Sequence, residues 1–190
     1  MPRIYISREL VQAQDLVNAL TVRGFEVDCK SQITREFLDF SVELKAFDWI
    51  FFSSPYAVAS FFKIKSSDGC KLGALGSGTA KALQDYGKVD FIGEGSSTIE
   101  IGKQFLAQIG SEKVLFPSPE KGLRSVQSVF PKTQFEELIC YRTILNSSVI
   151  ESADAYVFSS PSNVHAFAEK KPIPSKCCLL CFWSKHCKST

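Results

Sequence analysis

"FDWIFFSSPYAVASF", residues 47–61, returns 106 positions later as "ADAYVFSSPSNVHAF", residues 153–167. The two stretches share Asp, the Phe-Ser-Ser-Pro run, Val and Phe, seven identities in fifteen, more than similar strand composition alone produces. The chain therefore holds two versions of one α/β unit. In each, an apolar run of strand length meets Ser-Ser-Pro and an amphipathic segment follows. Serine at an N-cap accepts a bond from an orphan helix N–H, and proline at the first helical position has no N–H to waste. Ser53 and Ser54, like Ser159 and Ser160, thus stand where a strand ends and a helix opens. Open α/β sheets bind ligands at such carboxyl ends. Helix capping alone would account for either copy by itself; two copies in matching places favour a site.

The alternation extends in both directions. "RIYIS" (3–7) reads as a strand, residues 10–24 as a helix stopped at Gly24, and "FEVD" (25–28) as the next strand. Further strands are expected at 49–53, 71–75, 89–92, 113–116 and 134–138, with helices at 55–65, 79–87, 97–109 and 121–130. Strands separated by helices imply right-handed crossovers and parallel sheets covered on both faces.

Composition fits such a fold. The 190 residues are 45% hydrophobic and 22% charged, with sixteen phenylalanines, enough for one large or two small domains burying roughly 70% of the unfolded surface. The net charge of +2 is misleading, because the five lysines from Lys170 onward come with no acid. Residues 1–169 keep 17 of the 22 basic residues against all 20 acids, a net of −3. With Lys103, Lys113, Lys121 and Arg124 scattered among acids, no basic stripe for nucleic acid is expected. The start, "MPRIYISREL", turns polar after six residues, and no apolar run approaches 18, so neither a signal peptide nor a membrane span is expected. Cys29, Cys70 and Cys140 are far apart and read as reduced packing residues of a cytoplasmic protein.

Two more loops join strands to helices. Residues 73–83 carry Gly76, Ser77 and Thr79 in the order Gly-x-x-Gly-x-Gly, and residues 93–98 read "GEGSST", with Ser96 and Ser97. Neither is the dinucleotide fingerprint or a P-loop. Such loops offer backbone N–H groups and the positive end of a helix to anions, worth about 0.3–1 kcal/mol each. Several together suit a ligand with several carboxylates or phosphates.

These motifs in this order resemble the uroporphyrinogen-III synthase family: the strand with Phe-Ser-Ser-Pro-x-x-Val, the strand with Gly-x-x-Thr-Ala-x-Ala-Leu, "LFP", the Tyr-x-Thr linker at Tyr141, and the second Phe-Ser-Ser-Pro. The resemblance runs from residue 4 to about 169. It implies two flavodoxin-like parallel-sheet domains joined by linker strands, with the cleft between them. The inserted domain would be about 31–140 and the discontinuous one 1–30 plus 141–190. The implied reaction closes linear hydroxymethylbilane into uroporphyrinogen III, losing water and inverting the last pyrrole ring through a spirocyclic pyrrolenine, without metal or organic cofactor. Its substrate carries eight carboxylates and would be handed over by hydroxymethylbilane synthase to a monomeric enzyme. Tyr141 matches the linker tyrosine, a candidate proton donor to the departing hydroxyl; a purely packing role is the alternative. Ser53, Ser54, Gly76, Ser77, Thr79, Ser96, Ser97, Ser159 and Ser160 match the loops that line the cleft, and Arg8 matches an arginine after the first strand. His165 reads as a surface residue.

The C-terminus departs from the pattern. A second Gly-x-x-Thr-Ala-x-Ala-Leu should follow the second Ser-Ser-Pro helix; instead come Cys177, Cys178, Cys181, His186 and Cys187. Cys178-x2-Cys181-x4-His186 opens like a zinc knuckle with imperfect spacing. A frameshift is the second reading: permitted codons for "CFWSKHCKST" (181–190), read one base later, give Ala-Phe-Gly-Pro-Ser-Thr-Ala-Lys-Ala followed by the start of a leucine codon. On that reading the discontinuous domain is truncated or frameshifted from about residue 176, the tail is poorly ordered, and the activity of the 190-residue form is in question. The competing functional readings are a non-enzymatic module for a small polyanion with a zinc-binding cysteine tail, and a nucleotide-binding domain, which the missing fingerprints weaken.

Overall fold

The computed structural model describes residues 1–146, 150–169 and 178–181. They divide into two compact units, one of residues 35–143 and the other of residues 1–34 with the described residues from 144 onward. The divisions fall a few residues beyond 30 and 140, inside two strands that belong to the larger sheet, β3 (Ile33–Phe37) and β8 (Phe135–Leu145).

In the discontinuous unit, β1 (Arg3–Ile6), α1 (Leu10–Val22) and β2 (Glu26–Cys29) come first, and β9 (Ala155–Phe158), α5 (Pro161–Ala168) and β10 (Cys178–Cys181) come last. The sheet order is β10-β9-β1-β2, all parallel. The 13-residue α1 stops where expected: Gly24 has φ +84°, a left-handed value that only glycine adopts without strain. Tyr5, Tyr156, Phe158 and Phe167 form one core cluster, with Ile4, Ile6, Ala13 and Val157 in another.

β10 lies within the stretch the cysteines marked as tail. Cys178 to Cys181 pair in register with Ala155 to Phe158, as Lys71 to Ala74 pair with Trp49 to Phe52 in the other unit. The repeat thus continues past the second Ser-Ser-Pro helix for one strand, beyond the expected departure near 176. The remaining tail residues, including Cys177, His186 and Cys187, lie outside the described residues.

The inserted unit contains β4 (Trp49–Phe52), α2 (Pro55–Phe62), β5 (Lys71–Ala74), α3 (Ser77–Leu83), β6 (Val89–Ile92), α4 (Thr98–Ile109) and β7 (Val114–Pro119) before β8. Its six-stranded sheet runs β3-β8-β7-β4-β5-β6. Strand β4 is buried at all four positions, as a central parallel strand covered on both faces must be. On one face Ile50 and Phe52 pack with Val58, Phe61 and Leu83; on the other Trp49 and Phe51 pack with Phe91, Phe105 and Phe116. Alternate residues of one strand serve opposite faces.

The helix expected at 121–130 is absent. Only a 3-10 turn, Gln127–Val129, forms there, because Arg124 takes φ +54°, incompatible with continuing a right-handed helix. Strand β3 was not anticipated; only Ile33 of its five residues is buried, so it lacks the apolar alternation of a half-buried strand.

Gly93, just after β6, is fixed by close approach. A Cβ there would lie 2.4 Å from Ile101 Cγ2 and 2.5 Å from the Leu75 carbonyl oxygen. Since the backbone contact cannot yield by rotating a side chain, Gly93→Ala is expected to destabilise the unit by about 1–3 kcal/mol. A urea titration should show the midpoint falling with an unchanged slope.

Candidate functional site

The order of strands fixes where loops can gather. In the inserted unit the direction of winding changes between β4 and β7, and in the discontinuous unit between β1 and β9. At such switch points the loops leaving neighbouring strands diverge and leave a crevice beyond the carboxyl ends.

In the inserted unit that crevice is a cavity of about 190 Å³, lined by Ser53, Thr98, Ser118, Arg124, Ser125 and Gln127 among others. Ser53 follows β4, Ser118 lies near the end of β7, and Thr98 opens α4. Gln127 Nε2 donates to Ser118 Oγ at 3.3 Å, both side chains being buried. Leu75, Pro119, Leu123 and Val126 make most of the lining apolar, with the hydroxyls of Ser53, Thr98 and Ser125 and no described acid. Such a lining suits an aliphatic arm that ends in an anionic group.

Tyr141, 6% exposed, is paired in β8 with Pro119 of β7, which lines the cavity, but its ring packs on the opposite face of the sheet, in the cluster of Ile50 and Phe52. Its hydroxyl is 3.4 Å from Ser54 Oγ, which also accepts the Ala57 N–H at 3.1 Å and so caps α2. Tyr56 packs edge-on against Tyr141 at 4.9 Å between ring centres, and Arg35 lies 5.2 Å from the centre of the Tyr56 ring. Burial raises the Tyr141 phenol above its ordinary pKa, opposed by the Ser54 hydroxyl and by the charges of Arg35 and Arg124. At neutral pH it holds its proton.

In the discontinuous unit the matching crevice is bridged by serines. Ser159 N donates to Ser7 Oγ at 2.8 Å, and Ser159 Oγ donates to the Ser7 carbonyl at 2.7 Å. Ser160 caps α5 by accepting the Asn163 N–H at 3.3 Å. Buried Asn163 in turn accepts the Gln32 N–H at 2.8 Å. Ser160 thus repeats the capping geometry of Ser54.

The other expected residues are more dispersed. Gly76 is the N-cap of α3, followed by exposed Ser77 and buried Thr79. Ser97 is the N-cap of α4 without a side-chain capping bond, and Ser96 is exposed. Arg8 is exposed and lines a depression of about 330 Å³ with the first turns of α1. His165 is exposed on α5. Ser7, Ser118, Gln127 and Asn163 were not singled out from the sequence. A lone serine after an apolar strand, as in "IYIS" and "LFPS", was the available signal for the first two.

Among the described residues no group of three or more His, Cys, Asp or Glu is placed to hold a metal ion. No described helix is long and apolar enough to cross a membrane.

Burial also sets a response to alkali. Tyr5 and Tyr141 are raised, and the Cys140 thiol is pushed up to about 12, each chiefly by burial. Above pH 9–10 the unfolded chain loses these protons while the folded chain keeps them, so stability must fall as pH rises. The contribution is intact below pH 9 and lost towards pH 12, at up to about 1.4 kcal/mol per pH unit for each group. Urea midpoints measured from pH 8 to 11 should decline, and Cys140→Ala should flatten the decline.

Two largely parallel α/β units, the larger with β3 running antiparallel to β8 at its edge, each have a serine-capped helix at the switch point and define a two-domain α/β protein whose polar loops gather at strand carboxyl ends. The family model described as uroporphyrinogen-III synthase HemD matches residues 11–182. The chain belongs to the uroporphyrinogen-III synthase family. It is accordingly a lyase of porphyrin and haem biosynthesis, closing hydroxymethylbilane, a linear tetrapyrrole, into uroporphyrinogen III with loss of water and inversion of the last pyrrole ring. The crystal structure of uroporphyrinogen-III synthetase from Helicobacter pylori is similar over 95% of this chain and 84% of that one, with a TM-score of 0.69 and 16% identity. A mutant uroporphyrinogen III synthase from the extremely thermophilic bacterium Thermus thermophilus is similar over 89% and 77%, with a TM-score of 0.59 and 13% identity. At these identities the likeness is one of fold. No curated protein sequence matches the chain. Family membership does not favour the non-enzymatic binding module.

Proposed function

We propose that Tyr141 is the proton donor of the ring closure and that the serine-rich loops hold the substrate's carboxylates. The observation that carries this reading is the buried, protonated phenol of Tyr141 beside the Ser54 cap. Its proton leaves with the departing hydroxyl as water. The proton released when the last pyrrole regains aromaticity returns to the phenolate, so the cycle balances. Backbone amides and hydroxyls at Ser53, Ser54, Gly76, Ser77, Thr79, Ser96, Ser97, Ser159 and Ser160, with Arg8, bind and orient rather than react. Ser53→Ala and Ser159→Ala are each expected to raise KM about 3- to 10-fold with kcat nearly kept. Unchanged KM in both would remove the serine loops from the substrate site.

The same reading makes both units flavodoxin-like. The order β2-β1-β9-β10 supports it as the 2-1-3-4 part of the 2-1-3-4-5 order. The inserted β6-β5-β4-β7-β8 follows that order when counting begins at its third strand. The inserted domain is taken as about 31–140 and the discontinuous one as the remainder, with the reading frame departing from the family pattern after Cys181. Sequencing the genomic DNA across codon 181 tests this: the shifted frame should read Gly-Pro-Ser-Thr-Ala-Lys-Ala-Leu and stay open. The protein is proposed to act in the cytoplasm as a monomer receiving its substrate from hydroxymethylbilane synthase. Sedimentation at micromolar concentration checks the monomer.

A further inference from the structure

Arg124 stands out because it is a non-glycine residue held at φ +54°. A left-handed backbone disfavours a side chain with a Cβ, so something must hold it there. Arg124 Nε donates to Glu137 Oε2 at 2.7 Å, and Nη2 donates to the Pro119 carbonyl at 2.7 Å. Glu137 is on β8, opposite Phe116 of β7. The guanidinium therefore ties the turn at 120–126 back onto two adjacent strands. Gly122 closes tightly over it: a Cβ there would lie 2.7 Å from Arg124 Nη1 and 3.0 Å from Pro119 Cγ. Beyond Arg124, Val126 is buried against α4, where a Cβ on Gly102 would lie 3.0 Å from the Val126 carbonyl oxygen. The turn so pinned forms one wall of the cavity at the β4/β7 switch point, facing Ser53 and Ser118.

We propose that Arg124 is a positioning residue for the synthase reaction: anchored on Glu137 and Pro119, it fixes the 120–126 turn so that the cavity receives a carboxylate arm of the linear tetrapyrrole. This rests on the substrate reading given above. A carboxylate arm fits because Leu75, Pro119, Leu123 and Val126 offer an apolar lining for its methylenes while the hydroxyls of Ser53, Thr98 and Ser125 can donate to its head, with no described acid. Arg124 acts through the wall it holds, since two of its donors are committed to Glu137 and Pro119.

The test compares Arg124→Gly, Arg124→Lys and Glu137→Gln in the full chain. It measures kcat and KM for uroporphyrinogen III formation, and affinity by fluorescence titration with uroporphyrin III, an octacarboxylate with no hydroxyl to lose and so no turnover. Arg124→Gly accepts the positive φ, so its melting temperature should stay close to that of the parent while KM rises about 10-fold and kcat changes less than about 2-fold. Glu137→Gln should raise KM about 3-fold, and Arg124→Lys should fall between the parent and the glycine variant. Were Arg124 instead a direct substrate contact, removing the Glu137 charge would leave KM unchanged or lower it, which overturns the proposal. So does an Arg124→Gly enzyme with parental KM and uroporphyrin affinity. A parent protein that neither turns over nor binds uroporphyrin III would instead sink the substrate reading itself, and this inference with it.

Discussion

Tyr141→Phe should lower kcat for uroporphyrinogen III formation by about 100-fold, with KM and melting temperature nearly unchanged. General acids typically contribute 10²- to 10⁴-fold, and a 100-fold loss corresponds to about 2.7 kcal/mol of barrier. The lower end is expected because the departing hydroxyl can also take a proton from a carboxylic acid of the substrate. The ring remains to pack against Tyr56 at 4.9 Å. The hydroxyl's contact with Ser54, at 3.4 Å, is too long to matter much for folding. A kcat within about 3-fold of the parent would return Tyr141 to a packing role.

Phe105→Ala should have the largest effect on stability, about 3–5 kcal/mol. Phe105 is fully buried on α4, and its ring centre lies 4.6 Å from that of Phe51, 4.8 Å from Phe91, 5.2 Å from Trp49 and 5.9 Å from Phe130. Those rings come from β4, β6 and the segment before β8, so one cavity loosens the packing of several elements at once. A loss this large approaches the 5–15 kcal/mol that holds a domain folded. Urea unfolding should show the drop, and a loss under about 1 kcal/mol would mean the core refills the space.

The sequence was most informative where chain chemistry and fold coincide. Strand β4 is an unbroken apolar run because both its faces are covered, and the α2 and α5 starts are legible because serine caps and proline tolerate only that position. Ser54 and Ser160 were found through the repeat, and both cap as read. What escaped depends on partners distant in sequence. The turn at 120–126 reads as a helix until Arg124 is seen bonded to Glu137, thirteen positions on. Ser7 and Ser118 carry only a lone serine at the end of an apolar run; adjacency of β1 to β9 and of β7 to β4 gives them their place. The tail had two readings, a frameshift and the opening of a zinc knuckle; Cys178 and Cys181 lie in a strand that continues the repeat, and Cys177, His186 and Cys187 lie outside the described residues.

The central claim is catalysis, and isomer analysis tests it directly. The purified 190-residue protein is incubated with hydroxymethylbilane generated in place, the products are oxidised, and uroporphyrin isomers I and III are separated. Isomer III in excess of isomer I, rising with protein concentration, is the predicted result. Isomer I alone, formed at the rate of spontaneous closure, would contradict it.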